Sequence, residues 1–356
     1  MVSSLESLHE AMLYEKMEDG QVKCSLCARR CLIKDGALGF CLVRKNKGGI
    51  LRSLVYAKAI SACADPITKK PLSHFSPGAL VMSVATVGCN FRCKFCCNWS
   101  ISQEKEIQGR YLPPQDVVKA AKDNGCQGIS YTYTEPTVFF EYAYDTAKLA
   151  NQVGFFNTFV TNGYMTPEAV KIIAPYLDAA TVDLKGGGDP VFYKQFASVP
   201  SVEPIYRSLK EMKKHGIHVE ITNLVVPKIG DPPEKIRELA IWVKDVLGKD
   251  TPFHLLRFHP TYQLTTISST SIKTLEKAYA TAKETGLNYV YLGNVPGHRY
   301  EHTYCPNCNE LLIKRFSFEI TKWTLTKDMC CPTCGQKIPI KGRLHANGYA
   351  YPYALF

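Results

Sequence analysis

The sequence has no long hydrophobic run. Nowhere in its 356 residues do about 18 apolar residues follow one another, which is the length needed to cross a lipid bilayer. The first twenty residues, MVSSLESLHEAMLYEKMEDG, also lack the basic-then-apolar pattern of a secretory signal. These absences exclude proteins with a transmembrane helix and predict a cytoplasmic protein without a membrane partner.

Continuous basic runs are absent as well. The formal net charge is +11, but lysines and arginines are scattered and are adjacent only in pairs such as Lys69-Lys70 and Lys213-Lys214. The positive net charge therefore leaves a nucleic-acid partner possible, but no basic patch in the sequence indicates one. The contents of 46% hydrophobic and 21% charged residues are typical of a globular protein. The length favours one large α/β domain with smaller appendages.

Cysteine, by contrast, is abundant. The chain has 15 cysteines, and most of them fall into three tight groups. In a chain without secretory features, grouped cysteines indicate metal sites in a reducing compartment and not disulfides.

The first group contains Cys24, Cys27, Cys31 and Cys41, among turn-forming glycines and short apolar pairs. This segment has too little apolar sequence to build a core, so a metal would supply the missing stability. The spacing Cys-x2-Cys-x3-Cys-x9-Cys suits four-thiolate zinc and a second iron–sulfur cluster equally well.

The second group lies in VGCNFRCKFCCNWS and has the spacing Cys-x3-Cys-x2-Cys at Cys89, Cys93 and Cys96. A cubane cluster has four irons, so three thiolates leave one iron open. An open metal position is where a small molecule can bind and react. We interpret the adjacent Cys97 as a residue that lines or packs and is not a ligand.

The third group, Cys305, Cys308, Cys331 and Cys334, forms two Cys-x2-Cys knuckles. This is the pattern of a zinc ribbon. Four thiolates close the coordination shell of the ion, so the predicted role is structural.

Between the second and third groups, short β-rich runs alternate with longer amphipathic ones, which predicts βα units and a parallel sheet of about seven strands. Chemistry in a parallel barrel gathers at the C-terminal ends of the strands. Polar residues occur at successive predicted strand ends, namely Thr134, Glu135, Asn162, Asp183, Lys185, Asn223, Arg257 and His259.

These motifs resemble the radical S-adenosylmethionine (radical SAM) superfamily. Over nearly its whole length the chain is similar to the radical SAM component of the AmmeMemoRadiSam system, a relative of pyruvate formate-lyase activating enzymes. The segments that carry the resemblance are CSLCARRC with GFCLVR, DPITKKPLSHFSPG, GCNFRCKFCCNWSISQ, YTYTEPT, TNGY, DLKG and the final knuckles.

The resemblance implies a partial (β/α)6 barrel with two cysteine-rich appendages. The expected division is an N-terminal metal-binding segment and linker at residues 1–75 and the barrel at 76–300. The zinc ribbon would follow at 301–342, with an aromatic tail at 343–356.

The resemblance also implies a reaction. The open iron of a [4Fe-4S] cluster would chelate SAM, and an electron from a donor such as a ferredoxin or flavodoxin would cleave it to a 5′-deoxyadenosyl radical. Glu135, beside Thr134, would accept a hydrogen bond from the SAM amine. Asp183 and Lys185 would bind the ribose and carboxylate, and the further candidate contacts are Asn162, Asn223 and His259.

The substrate of that radical is open in the sequence. One alternative is an activase that takes hydrogen from a glycine of a partner enzyme, and another is modification of a small molecule or a different protein. A third is an RNA-modifying or RNA-binding protein that uses the ribbon and the positive charge. A structural metal-binding adaptor is the non-enzyme alternative.

Overall fold

The structure is a computed structural model, and it describes residues 8–345. Its strands are, in chain order, β1 (Tyr14–Lys16), β2 (Val22–Cys24), β3 (Leu32–Ile33), β4 (Arg44–Lys47), β5 (Ile50–Ser53), β6 (Lys58–Ala59), β7 (Ser61–Pro66), β8 (Leu80–Ala85), β9 (Arg110–Tyr111), β10 (Gly128–Tyr131), β11 (Phe156–Thr161), β12 (Ala179–Asp183), β13 (His218–Val225), β14 (Phe253–Arg257), β15 (Val290–Gly293), β16 (Thr303–Tyr304), β17 (Leu311–Phe316) and β18 (Glu319–Trp323). The α-helices are α1 (Trp99–Ser102), α2 (Pro114–Asp123), α3 (Phe140–Gln152), α4 (Pro167–Ile173), α5 (Pro190–Phe196), α6 (Glu203–Lys214), α7 (Pro233–Trp242) and α8 (Ile272–Lys283). Single helical turns include Ile67–Lys69, Pro136–Phe139 and Lys185–Gly188.

An eight-stranded sheet forms the centre of the fold, in the order β15-β14-β13-β12-β11-β10-β8-β7. Strands β8 and β10 to β15 are parallel, and β7 pairs antiparallel with β8. Within the described part of the chain no pairing joins β7 to β15, so the sheet has two free edges. The predicted class, a partial barrel of parallel strands, is confirmed, with seven parallel strands and an antiparallel edge strand.

Helices α4 and α8 each begin at a polar residue whose side chain caps the first turn. Thr166 accepts a hydrogen bond from the backbone N–H of Ala169 at 3.2 Å and Ser271 accepts one from Thr274 at 3.0 Å. A side chain in this position satisfies one of the backbone donors that the first helical turn leaves free. Pro167 follows Thr166 at the first helical position, where its missing N–H costs nothing. These caps end the loops that follow the parallel strands, which keeps those loops at one edge of the sheet.

Two stretches differ from what their local residue patterns predict. The apolar run at residues 51–60 predicts one strand, but β5 and β6 are separate because Ala57 lies between them with a φ of 56°. The segment from Asp65 to Gly78 predicts a loop, yet β7 continues through Pro66. Proline is tolerated there because β7 is an edge strand.

The two appendages pack on the main sheet in different ways. Tyr289 and Tyr291, at β15, share an apolar cluster with Leu312, Ile313 and other residues of the β16-β17-β18 sheet. The N-terminal sheet β1-β2-β3 joins the main core. The predicted domain boundaries stay predictions, and most of the aromatic tail lies outside the described residues. No helix between residues 8 and 345 combines the length and apolar character needed to cross a membrane.

Candidate active site

The loop after β8 carries the three cysteines of the second group. Cys93 is buried, and Cys89 and Cys96 are half-buried. The backbone N–H of Phe91 lies 3.4 Å from the sulfur of Cys89, and the sulfur of Cys96 lies 3.1 Å from the hydroxyl of Ser102. Cys97 is exposed. Its side chain therefore differs in surroundings from the three predicted ligands.

The environment of these thiols fits a cationic partner. Burial raises the pKa of Cys89 well above its ordinary value, and the neighbouring Glu135 carboxylate raises it further. Burial also raises the pKa of Cys93 to about 12, although Lys185 lowers it. Thiolates at these positions need a metal to compensate their charge, because metal binding selects the deprotonated form. The donor set thus suits an iron–sulfur cluster.

Glu135 is the centre of a buried hydrogen-bond network and lies four residues after the end of β10. Its Oε1 accepts bonds from the backbone N–H of Thr137 at 3.0 Å and from the Thr161 hydroxyl at 2.7 Å. Its Oε2 accepts the backbone N–H of Asn162 at 2.8 Å. Burial raises the pKa of Glu135, and the hydrogen bonds oppose that rise. Thr134, the preceding residue, donates to the carbonyl of Thr86 at 2.8 Å, which ties this strand end to the start of the cysteine loop.

Asn162 connects this network to the cysteine loop. Its Nδ2 donates to Oδ1 of Asn90 at 2.7 Å and lies 3.9 Å from the sulfur of Cys89. The next residue, Gly163, has a φ of +68°, and a Cβ there would lie 2.7 Å from the Val182 side chain. The turn after β11 therefore requires glycine, and it fixes Asn162 against the loop.

Asp183 and Lys185 form a second polar pair, at the end of β12. They make a salt bridge, and each side chain is about one-fifth exposed (23% and 22%). Thr222 donates a hydrogen bond to Asp183. Burial opposes the charge of Lys185, but Asp183 more than compensates and raises the pKa of the lysine. Lys185 lowers and Asp183 raises the pKa of Cys93, so the pair lies near the cysteine loop.

The structure places Asn223 on a different face of the sheet, and within residues 8–345 it records no hydrogen bond between His259 and this group. Thr222 pairs with Asp183 across β12 and β13, and successive strand residues point to opposite faces, so Asn223 lies on the other face of the sheet. His259 is exposed, with its Nδ1 3.2 Å from the Ser269 hydroxyl. The sequence predicts both residues near strand ends. Because side chains alternate between the two faces of a strand, Asn223 cannot share the face of the sheet on which Asp183 lies.

Several residues of the site were not predicted from the sequence, notably Asn90, Thr161 and Thr222. Asn90 lies inside the cysteine loop and Thr161 directly precedes Asn162. Asn90 could have been predicted as a site residue from its position in the cysteine loop, and Thr161 from its position in the TNG motif. Thr222 had no signal of its own, because its role depends on the register between β12 and β13.

The sulfurs of the four C-terminal cysteines lie close enough together to bind a single metal ion. The sulfurs of Cys305, Cys308, Cys331 and Cys334 all lie within 4.8 Å of one another. The distance from Cys305 to Cys334 is 3.5 Å and that from Cys308 to Cys331 is 3.6 Å. Four sulfurs around a tetrahedral zinc are about 3.8 Å apart. The predicted metal site is therefore present, with its ion identity still a prediction.

The four N-terminal cysteines line one small cavity of about 20 Å³. Arg29, Arg44 and Asn90 contribute to the same wall. Burial raises the pKa of Cys27 to about 12 and that of Cys41 to about 11. The structure thus brings these four predicted ligands together beside the cysteine loop.

A parallel α/β sheet with a three-cysteine loop after its first parallel strand defines a class of cluster-binding proteins, and the comparisons agree with it. The model of the Radical SAM superfamily matches residues 83–243. The uncharacterized protein MJ0808 of Methanocaldococcus jannaschii is 47% identical over 336 residues, which cover 94% of this chain and 99% of that protein. The chain belongs to the radical SAM superfamily.

Two further proteins are similar over part of the chain. The pyruvate formate-lyase-activating enzyme of Clostridium pasteurianum is 25% identical over 177 residues, which are 48% of this chain and 73% of the enzyme. The crystal structure of a radical SAM methyltransferase from Sphaerobacter thermophilus aligns with a TM-score of 0.49 and 16% identity, over 61% of this chain and 67% of that one. The superfamily implies a [4Fe-4S] cluster and SAM as cofactors.

Proposed function

We propose that this chain is a radical SAM enzyme. Cys89, Cys93 and Cys96 would bind the [4Fe-4S] cluster. When bound, the cluster and SAM supply a 5′-deoxyadenosyl radical that takes hydrogen from a substrate. The observation that carries the proposal is the contact of Asn162 with Cys89, which joins the cysteine loop to the Glu135 network.

The residues of the chain would hold SAM by charge complementarity. Among residues 8–345, Oε2 of Glu135 has a single donor, the N–H of Asn162. That oxygen suits the cationic amine of SAM. Asp183 and Lys185 offer an acceptor and a cation for the ribose hydroxyls and the carboxylate. Burial of the site strengthens each of these interactions because water is excluded.

The two flanking cysteine groups would hold metals of their own. We propose zinc for the C-terminal ribbon, because the close convergence of its sulfurs suits a single tetrahedral ion. The N-terminal cysteines would hold a second metal centre.

For the substrate, the similarity to a pyruvate formate-lyase-activating enzyme favours an activase, which would take hydrogen from a glycine of a partner protein. The resemblance to the AmmeMemoRadiSam component supports assignment to that subgroup. A low-potential one-electron donor protein would serve as partner, and the cytoplasm would be the compartment.

The test begins with the full chain reconstituted anaerobically with iron and sulfide. Reduction by dithionite in the presence of SAM should release 5′-deoxyadenosine and methionine in equal amounts. A reducible cluster without any such release would contradict the proposal. The substrate would then be sought by deuterium transfer from labelled candidate proteins, small molecules or RNA into 5′-deoxyadenosine.

A further inference from the structure

The N-terminal cysteines differ from the ribbon in the spacing of their sulfurs. Among residues 8–345, the ribbon is the only place where three or more metal-ligating atoms lie within 4.8 Å of one another. No three of the sulfurs of Cys24, Cys27, Cys31 and Cys41 meet that distance, although all four line one cavity. A single zinc ion would draw its sulfurs to about 3.8 Å. In an iron–sulfur cluster the thiolates bind different irons and stand farther apart.

The cysteine loop provides an internal comparison. Cys89, Cys93 and Cys96, the predicted ligands of a four-iron cluster, also lack that close grouping. The N-terminal group therefore resembles the predicted cluster ligands in its spacing and not the ribbon.

Two buried donors in the cavity wall have no partner among the described residues. They are Nδ2 of Asn90 and Nε of Arg44. Buried N–H groups are rarely left unpaired, because an unpaired donor costs the full desolvation penalty. The sulfides of an iron–sulfur cluster accept such hydrogen bonds and are tuned by them. The other nitrogens of Arg44 are already engaged, since they donate to Glu141 at 3.0 and 2.7 Å.

The cavity and the cysteine loop share a wall. Arg29 donates to the carbonyl of Asn90 at 3.0 Å, and Arg92 bonds the carbonyls of both Phe40 and Cys89. Gly88, next to Cys89, has a φ of +97°, and a Cβ there would lie 3.1 Å from the carbonyl oxygen of Cys41. The backbone that precedes Cys89 thus packs closely against the backbone of Cys41.

From these observations we infer that Cys24, Cys27, Cys31 and Cys41 bind a second, closed iron–sulfur cluster that exchanges electrons with the cluster of the cysteine loop. This inference deepens the proposed function and rests on it for the electron acceptor. One electron passes from the reduced N-terminal centre to the cysteine-loop centre, so the first is oxidised and the second reduced. A low-potential one-electron donor protein restores the reduced N-terminal centre. Four thiolates leave no open iron there, so SAM does not bind at this centre.

The metal content of the reconstituted full chain is the first test. Wild type should contain iron in excess of one four-iron cluster, about six to eight atoms per chain, and about one zinc. Four irons and two zincs per chain would overturn the inference, whatever the variants do.

Electron paramagnetic resonance provides a readout that does not need activity. In reduced Cys93→Ala, one cluster signal should remain, and SAM should not change it. In reduced Cys27→Ser/Cys31→Ser, the remaining signal should change with SAM, and the spin count should fall from about two per chain to about one. Reduced wild type should show a broadened spectrum that is not the sum of the two variants, because the two spins are close. A wild-type spectrum equal to that sum would overturn the electron exchange.

Cys330→Ser is the matched control, because Cys330 is a half-buried cysteine outside the three groups. It should keep wild-type iron and spectra. If the N-terminal variant fails to fold, the wild-type metal content and Cys93→Ala still decide the inference. A wild-type chain whose only signal ignores SAM would refute the proposed function while leaving the N-terminal cluster in place.

Discussion

The cysteine loop at residues 89–96 and the ribbon at residues 305–334 have similar short cysteine spacings in different surroundings. The ribbon sulfurs lie within 4.8 Å of one another and are packed against a small apolar cluster. The loop sulfurs are spread out, and Glu135, Asn162 and the Asp183–Lys185 pair lie beside them. A closed shell with apolar neighbours suits a structural ion. An incomplete shell with polar neighbours suits binding and reaction of a charged ligand.

Loss of a loop thiolate should have the largest effect on chemistry. Cys93→Ala should lower SAM cleavage by at least about a thousandfold, because the cluster loses one of its three ligands. The measurement is 5′-deoxyadenosine formed per folded chain after reconstitution. Cleavage near the wild-type rate would remove Cys93 from the ligand set.

Loss of a ribbon thiolate should affect stability instead. Cys305→Ala should remove the ion and lower the melting temperature by about 10 °C, because metal binding energy contributes directly to folding. SAM cleavage per folded chain, measured below the lowered transition, should stay within about twofold of wild type. A large loss of SAM cleavage without a change in melting temperature would contradict a purely structural role for the ribbon.

Removal of the charge at Glu135 should weaken SAM binding without removing the cluster. Glu135→Gln should raise the dissociation constant of SAM roughly 10- to 100-fold, because a charge-assisted hydrogen bond is lost. Isothermal titration of the reconstituted protein measures it, with iron content as a check. His259→Ala is the comparison variant and should change affinity less than about twofold, since His259 is exposed and its ring contacts the Ser269 hydroxyl and not the Glu135 network. Equal effects of the two substitutions would contradict the site described here.

The smallest expected effect is a pH-dependent change in stability that arises from His74, on the side of the barrel where the ribbon packs. His74 is fully buried with its Nε2 2.7 Å from the Tyr291 hydroxyl, and Lys341 donates its backbone N–H to the His74 carbonyl. Burial lowers the pKa of His74 to about 3, although Glu220 raises it. The unfolded chain therefore binds a proton below about pH 6.5 that the folded chain does not bind until about pH 3, so stability falls as pH falls through this window.

Between pH 7 and pH 5 this histidine should cost roughly 2 kcal/mol of unfolding free energy. His74→Gln, which can still bond Tyr291, should lose less stability over the same interval, as measured by urea unfolding at both pH values. Identical losses in the two proteins would show that His74 does not titrate in this way.

The fold class follows from local patterns in the sequence, and most residues of the candidate site were predicted from the same patterns. Cap residues such as Thr166 and the cysteine spacings are local, and so is the position of Glu135 a few residues after a strand. The features that could not be predicted from the sequence depend on strand register and on packing between distant segments. Asn223 lies on the face opposite to Thr222 because strand residues alternate, and one residue of register decides which of the two meets Asp183. The wall shared by the N-terminal cysteines and Asn90 requires segments that only the tertiary fold brings together.

The buried ion pair between Arg44 and Glu141 joins residues that are 97 positions apart. During translation at about 5 to 20 residues per second, Arg44 emerges roughly 5 to 20 s before its partner. The N-terminal cysteines are made first, but Thr137 and Val138, which complete their cavity, are made in that later interval. The cavity that the N-terminal cysteines line is therefore complete only after Val138 has been made, when two of the seven parallel strands, β8 and β10, have been synthesised.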